Sequence, residues 1–143
     1  MHWTHTNPLP RMPLRWINGA VKMTLVRLHH ITFTIPKGKE DEGRAFYCGV
    51  LGLQEVPKPE SLMPQGGFWL ELGDMQVHIT TEDGYDPTKT KGHIAYLVQD
   101  LEAWRAKITA EGLNPVDNML FPGYRRFDFR DPFGNRIELI EPE

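Results

Sequence analysis

The chain has 143 residues, 40% of them hydrophobic, with 16 basic against 19 acidic side chains and a formal net charge of −3. Such a length is one domain with a sizeable core; the charge balance leaves no basic footprint for nucleic acid, and no apolar run approaches the roughly 18 residues of a membrane-spanning helix. A single cysteine, Cys48, excludes an intramolecular disulfide and fits a reducing, cytoplasmic setting.

Residues 1–24 carry Trp3, Trp16, three prolines and basic but no acidic side chains, without a consistent period. They read as a poorly ordered appendage, with no continuous apolar segment of a secretory signal and with Met23 as an alternative translation start. Ordered structure is expected from Leu25. In His30-Ile31-Thr32-Phe33-Thr34-Ile35 the apolar residues share one face and His30, Thr32 and Thr34 the other, which is a strand. A helix follows from Glu40 to Leu51, ended by Gly52, with Cys48 packed beside Phe46, Tyr47 and Val50. Gln54 to Val56 is a short strand cut by Pro57 and Pro59. Phe68 to Leu72 and Met75 to Thr80 flank Gly73-Asp74 as a hairpin, leaving Trp69, Glu71, Gln76, His78 and Thr80 on the polar face.

A polar stretch leads to the strand His93 to Val98 and a helix from Asp100 to Glu111, with Asp100 as N-cap, Leu101, Trp104 and Ile108 as its apolar stripe, and Gly112 as its stop. Val116 to Phe121 is a poor strand. Tyr124 to Arg130 is a good one, Phe127 and Phe129 opposing Tyr124, Arg126 and Asp128. The tight turn Asp131-Pro132-Phe133-Gly134-Asn135 feeds a last strand in which Arg136 and Glu138 alternate with Ile137 and Leu139.

The two halves repeat one another. His30-Ile31 recurs 63 residues on as His93-Ile94, while the helix-stop glycine (Gly52, Gly112) and the pair His78 and Glu138 recur at 60. The expected fold is therefore α+β: two tandem βαβββ units, about 25–82 and 91–143, whose curled mixed sheets surround a cleft with helices on the outer face. His30, His78, His93 and Glu138 all lie on the face away from the apolar stripe. Three imidazoles and a carboxylate converging there would hold a divalent ion, zinc, nickel, manganese or iron. His29 has the opposite parity and is expected to point away.

The stretches Leu28-His29-His30-Ile31, Arg44-Ala45-Phe46-Tyr47 with Leu51-Gly52-Leu53, Gly92-His93-Ile94-Ala95 and Asp131 to Glu138 resemble the vicinal oxygen chelate superfamily, the glyoxalase, fosfomycin and bleomycin resistance and extradiol dioxygenase group. The resemblance implies a metal whose open positions chelate adjacent oxygens of a small substrate, with ligands from the first and last strands of each unit, and a homodimer. Its implied chemistry is isomerase/lyase or thiol transfer. The alternatives are a small extradiol-type dioxygenase and a metal-free protein sequestering a small molecule, for which Trp69 and Tyr124 could supply the surface. The chain departs from the glyoxalase I pattern at His78, where that enzyme type has a carboxylate or amide. Proton transfer would then fall to Glu138, Glu71 or Asp128. Arg126, with the parity of the metal set, is expected to clamp a substrate anion.

Overall fold

Alternation of β-branched and aromatic residues with polar ones makes His30–Ile35 a strand, β1, with Phe33 and Ile35 buried. The computed structural model describes residues 25–143 and the backbone of a separate antiparallel pairing, Trp16–Ile17 with Ala20–Val21. The appendage expected over residues 1–24 otherwise lies outside the described residues.

After β1 comes α1 (Glu40–Arg44), whose acidic first turn, Glu40, Asp41 and Glu42, sits at the positive end of the helix dipole. The expected single helix then changes geometry. Over Ala45–Val50 the turns widen to a π-helix, the Leu51 N–H donating to the Phe46 carbonyl at 3.0 Å, and Phe46, Tyr47 and Val50 all enter the core. Gly52, at φ +77°, ends the helix in a conformation that a side chain would strain. Strands β2 (Gln54–Val56), β3 (Phe68–Leu72) and β4 (Met75–Thr81) complete the first unit. A short 3-10 turn, Glu60–Gln65, lies between β2 and β3; its single proline, Pro64, and its polar residues carry no periodic signal.

The second unit repeats the plan with β5 (His93–Leu97), α2 (Leu101–Ala110), β6 (Val116–Asp117), β7 (Tyr124–Arg130) and β8 (Arg136–Pro142). One sheet has the order β1-β4-β3-β2 and the other β5-β8-β7-β6. In each, the first and last strands of the unit are parallel and the remaining pairs antiparallel. Register repeats too: Thr32 lies opposite His78, and Ala95 opposite Glu138. The tandem unit read from the sequence is thus matched strand for strand. The strand expected over Val116 to Phe121 shrinks to two residues, because Met119 and Leu120 find no apolar cover and only Phe121 rejoins β7, by a bridge to Tyr124.

Both units bury their apolar faces in one continuous core. Phe33, Phe46, Tyr47, Phe68, Leu70 and Val77 come from the first, and Leu101, Ile108, Phe127, Phe129, Ile137 and Leu139 from the second. The Phe46 and Phe129 rings meet across the junction at 6.3 Å. Polar groups pin the same junction. Asp131, only 3% exposed, accepts from the Tyr47 hydroxyl at 2.5 Å and from the backbone N–H groups of Phe133 and Asn135, while the Asn135 side-chain amide donates to Thr34 carbonyl oxygen at 3.0 Å. The Asp-Pro-Phe-Gly-Asn turn is therefore both a reversal and a clasp between units. Among the described residues no helix is long and apolar enough to cross a membrane.

Candidate functional site

Strand parity places His30 and His78 on the polar face of the first sheet. His30 opens β1, exposed, and His78 stands half-buried on β4. Their rings stack at 4.2 Å, and the Trp69 ring covers the other face of His78 at 4.0 Å and 1°. The edge of His78 is fixed as well: Nε2 lies 2.9 Å from Gln76 Oε1, and since a carbonyl oxygen only accepts, Nε2 donates and Nδ1 keeps the lone pair. Burial first, then the nearby His30, His29 and Lys58, pulls the His78 pKa down to about 4. His78 is accordingly neutral near pH 7. His29 corrects the parity expectation. It precedes the strand, so alternation does not govern it, and its Nδ1 meets His30 Nδ1 at 2.9 Å.

His93 and Glu138 share the polar face of the second sheet, where β5 and β8 run parallel. His93 Nδ1 is 3.1 Å from the Lys91 carbonyl, which makes it the donor and leaves Nε2 toward Glu138 Oε2 at 3.2 Å. Glu138 is 3% exposed, and the same oxygen accepts from Arg126 Nη1 at 3.1 Å. The other Arg126 η nitrogen donates to the Met119 carbonyl at 3.1 Å, and the guanidinium lies over the Phe121 ring at 5.3 Å. Arg126 thus holds Glu138 in the structure. Of the other two candidate bases, Asp128 is tied to Arg136 and, at 2.5 Å, to Asn118. Glu71 is exposed at the hairpin.

The structure pairs the four expected ligands two by two. Among the described residues no three His, Cys, Asp or Glu groups are placed to hold one ion. Within one chain the two sheets do not close on one another, so the common point anticipated from parity is not formed by this chain alone. The residues that orient the candidates, Gln76, the Lys91 and Met119 carbonyls, and Trp69 as a stacking partner, carry no spacing signal; only Trp69 and Gln76 could be placed on the right face by alternation.

Two of the four candidates, His93 and Glu138, are spaced as adjacent ligands of one divalent ion would be. With the His93 Nδ1–H given to a backbone carbonyl, Nε2 faces Glu138 Oε2 at 3.2 Å, bridged by a proton when the ring is charged and open to a metal cation when it is neutral. Metal bonds of about 2.0–2.2 Å at tetrahedral or octahedral angles would set adjacent ligand atoms about 3–3.5 Å apart. A hydrogen bond from the other imidazole nitrogen to a carbonyl is also the usual support of a ligating histidine.

The profile of the Glyoxalase/Bleomycin resistance protein/Dioxygenase superfamily matches residues 27–139. Among solved structures, a glyoxalase family protein from Bacillus anthracis is 34% identical over 86% of this chain and 100% of that one, with a TM-score of 0.79. A genomically encoded fosfomycin resistance protein from Listeria monocytogenes, solved with Mn(II) and sulfate, shares the fold at TM-score 0.70 and 18% identity, over 84% of this chain and 93% of that one. Lactoylglutathione lyase from Agrobacterium tumefaciens does so at TM-score 0.63 and 20% identity, over 83% and 96%. No curated protein sequence matches the chain.

Proposed function

Because the chain belongs to the Glyoxalase/Bleomycin resistance protein/Dioxygenase superfamily, the vicinal oxygen chelate group, we propose that it is a metal-dependent enzyme acting on a small, oxygen-rich anionic substrate. In this reading two copies of the chain complete the site: His93 and Glu138 from one, His30 from the other, with His78 as a further donor. The observation that carries it is His93 Nε2 facing Glu138 Oε2 at 3.2 Å, with the carboxylate buried and held by Arg126. The fosfomycin resistance neighbour solved with Mn(II) makes a divalent ion a reasonable occupant.

A bound divalent ion would act as a Lewis acid toward adjacent substrate oxygens. The chain's own groups do the rest. Glu138 supplies a carboxylate for proton transfer, the reaction class being isomerase, lyase or thiol transfer. Arg126 keeps that carboxylate oriented and places positive charge at the site, where an anionic substrate would share the guanidinium with Glu138. His78, neutral and clasped between two rings, offers Nδ1 as an acceptor.

Elemental analysis of untagged protein purified without chelator tests this reading. The expected result is stoichiometric metal that Glu138→Gln and His93→Ala lose. Metal-free wild-type protein would favour the second reading, a metal-free protein sequestering a small molecule. What supports that reading is the pairing of the four candidates two by two within one chain.

A further inference from the structure

A pocket of about 410 Å³ opens beside His30 and His78, and its wall includes His29, Lys58, Leu62 and Trp69. Among the described residues no aspartate or glutamate lines it. Resting on the reading of this face as half of the active site, we infer that this pocket seats the negative charge of the substrate, a carboxylate or phosphonate oxyanion bound by the Lys58 ammonium, with the substrate's apolar body against Leu62 and Trp69.

Among the described residues the cation in this pocket faces no counter-charge. Lys58 is half-buried, whereas the other described lysines are exposed. Half-buried Arg44, Arg105, Arg126 and Arg136 each pair with a carboxylate, and half-buried Arg130, which pairs with none among the described residues, spends its donors on the Pro87, Gly134 and Thr90 carbonyls. Among the described residues Lys58 pairs with none; it donates to the Gly66 carbonyl. An ammonium has three N–H donors, so two remain. A cation taken partly out of water without an opposite charge is unfavourable, and the imidazoles around the same cavity supply no negative charge to relieve it. An oxyanion entering the pocket supplies the missing charge and accepts the free donors, in the short, strong geometry of charge-assisted bonds. Lys58 sits between Pro57 and Pro59, which restrict the backbone on both sides of it.

The test uses the full chain after treatment with chelator, titrated calorimetrically with benzoate and with its neutral isostere benzamide. Benzoate should bind at least roughly tenfold more tightly than benzamide, and Lys58→Gln should erase roughly that factor while Lys58→Arg keeps it. Equal binding of the two probes, no binding of benzoate, or a Lys58→Gln variant that binds benzoate as wild type does would overturn the inference. The comparison of probes on wild-type protein needs no variant to fold. Since no metal is present, protein that binds benzoate yet never takes up metal would sink the enzymatic reading and leave this one standing.

Discussion

Arg126 and Glu138 show how a residue's role depends on what it faces. Removing the guanidinium leaves a carboxylate 3% exposed with only His93 to face. Arg126→Ala should therefore destabilise the fold by about 2–3 kcal/mol in urea denaturation, below the figure for a wholly buried pair because Arg126 is itself 23% exposed. A loss under about 0.5 kcal/mol would mean that solvent already screens the pair. Tyr47 supplies a second prediction at this scale. Burial, then the neighbouring Asp131, pushes its phenol well above its ordinary value, and burial does the same to Tyr96. A tyrosine harder to ionise when folded contributes stability below its unfolded pKa of about 10, and that stability is lost as pH rises beyond it. Melting temperature should fall above about pH 10, and Tyr47→Phe should flatten that fall while costing about 1–2 kcal/mol at neutral pH.

Helix α2 is anchored from outside its own sequence. Asp100, at φ +58°, caps Ala103 N–H at 3.1 Å, as its position in the sequence suggests, but the Asp100 and Leu101 N–H groups donate to Glu141 at 2.7 and 3.3 Å. Those bonds, chiefly from Asp100 N–H and aided by Arg125, hold the Glu141 carboxyl below its ordinary range. A depressed carboxyl contributes stability above its unfolded pKa, lost as pH falls through the folded value. Glu141→Gln should reduce the acid-side loss of stability in thermal melts between about pH 7 and about pH 3, and an unchanged acid limb would count against the bond. At the start of β3 the constraint is steric. A Cβ on Gly67, at φ +74°, would sit 2.0 Å from the Ile79 carbonyl oxygen, so Gly67→Ala should break the β3–β4 hairpin and cost more than about 3 kcal/mol.

At the scale of the whole molecule, two sheets of identical order share one core, yet the pairs His30 with His78 and His93 with Glu138 stay apart. A site shared between two copies makes a specific prediction for mixtures. His30→Ala and Glu138→Gln variants, each unable to hold metal alone, should regain roughly a quarter of wild-type metal binding after subunit exchange in a two-fold dimer, since half the dimers are mixed and each has one intact site. No recovery, or a monomer in sedimentation, would remove the shared site. The repeat, the strand faces and the four candidate ligands could be read from the sequence by itself, because side-chain alternation and helix stops are local properties of the backbone. Only the tertiary structure decided what those residues do. Glu138 meeting Arg126, His78 enclosed by His30 and Trp69, Tyr47 clasping Asp131 84 positions away, and Lys58 donating to the Gly66 carbonyl with no carboxylate partner among the described residues all follow from register and packing between segments apart in sequence. Parity gives the face a side chain leaves from, but the partner waiting there is set by which strands pair and how the two units close on a common core.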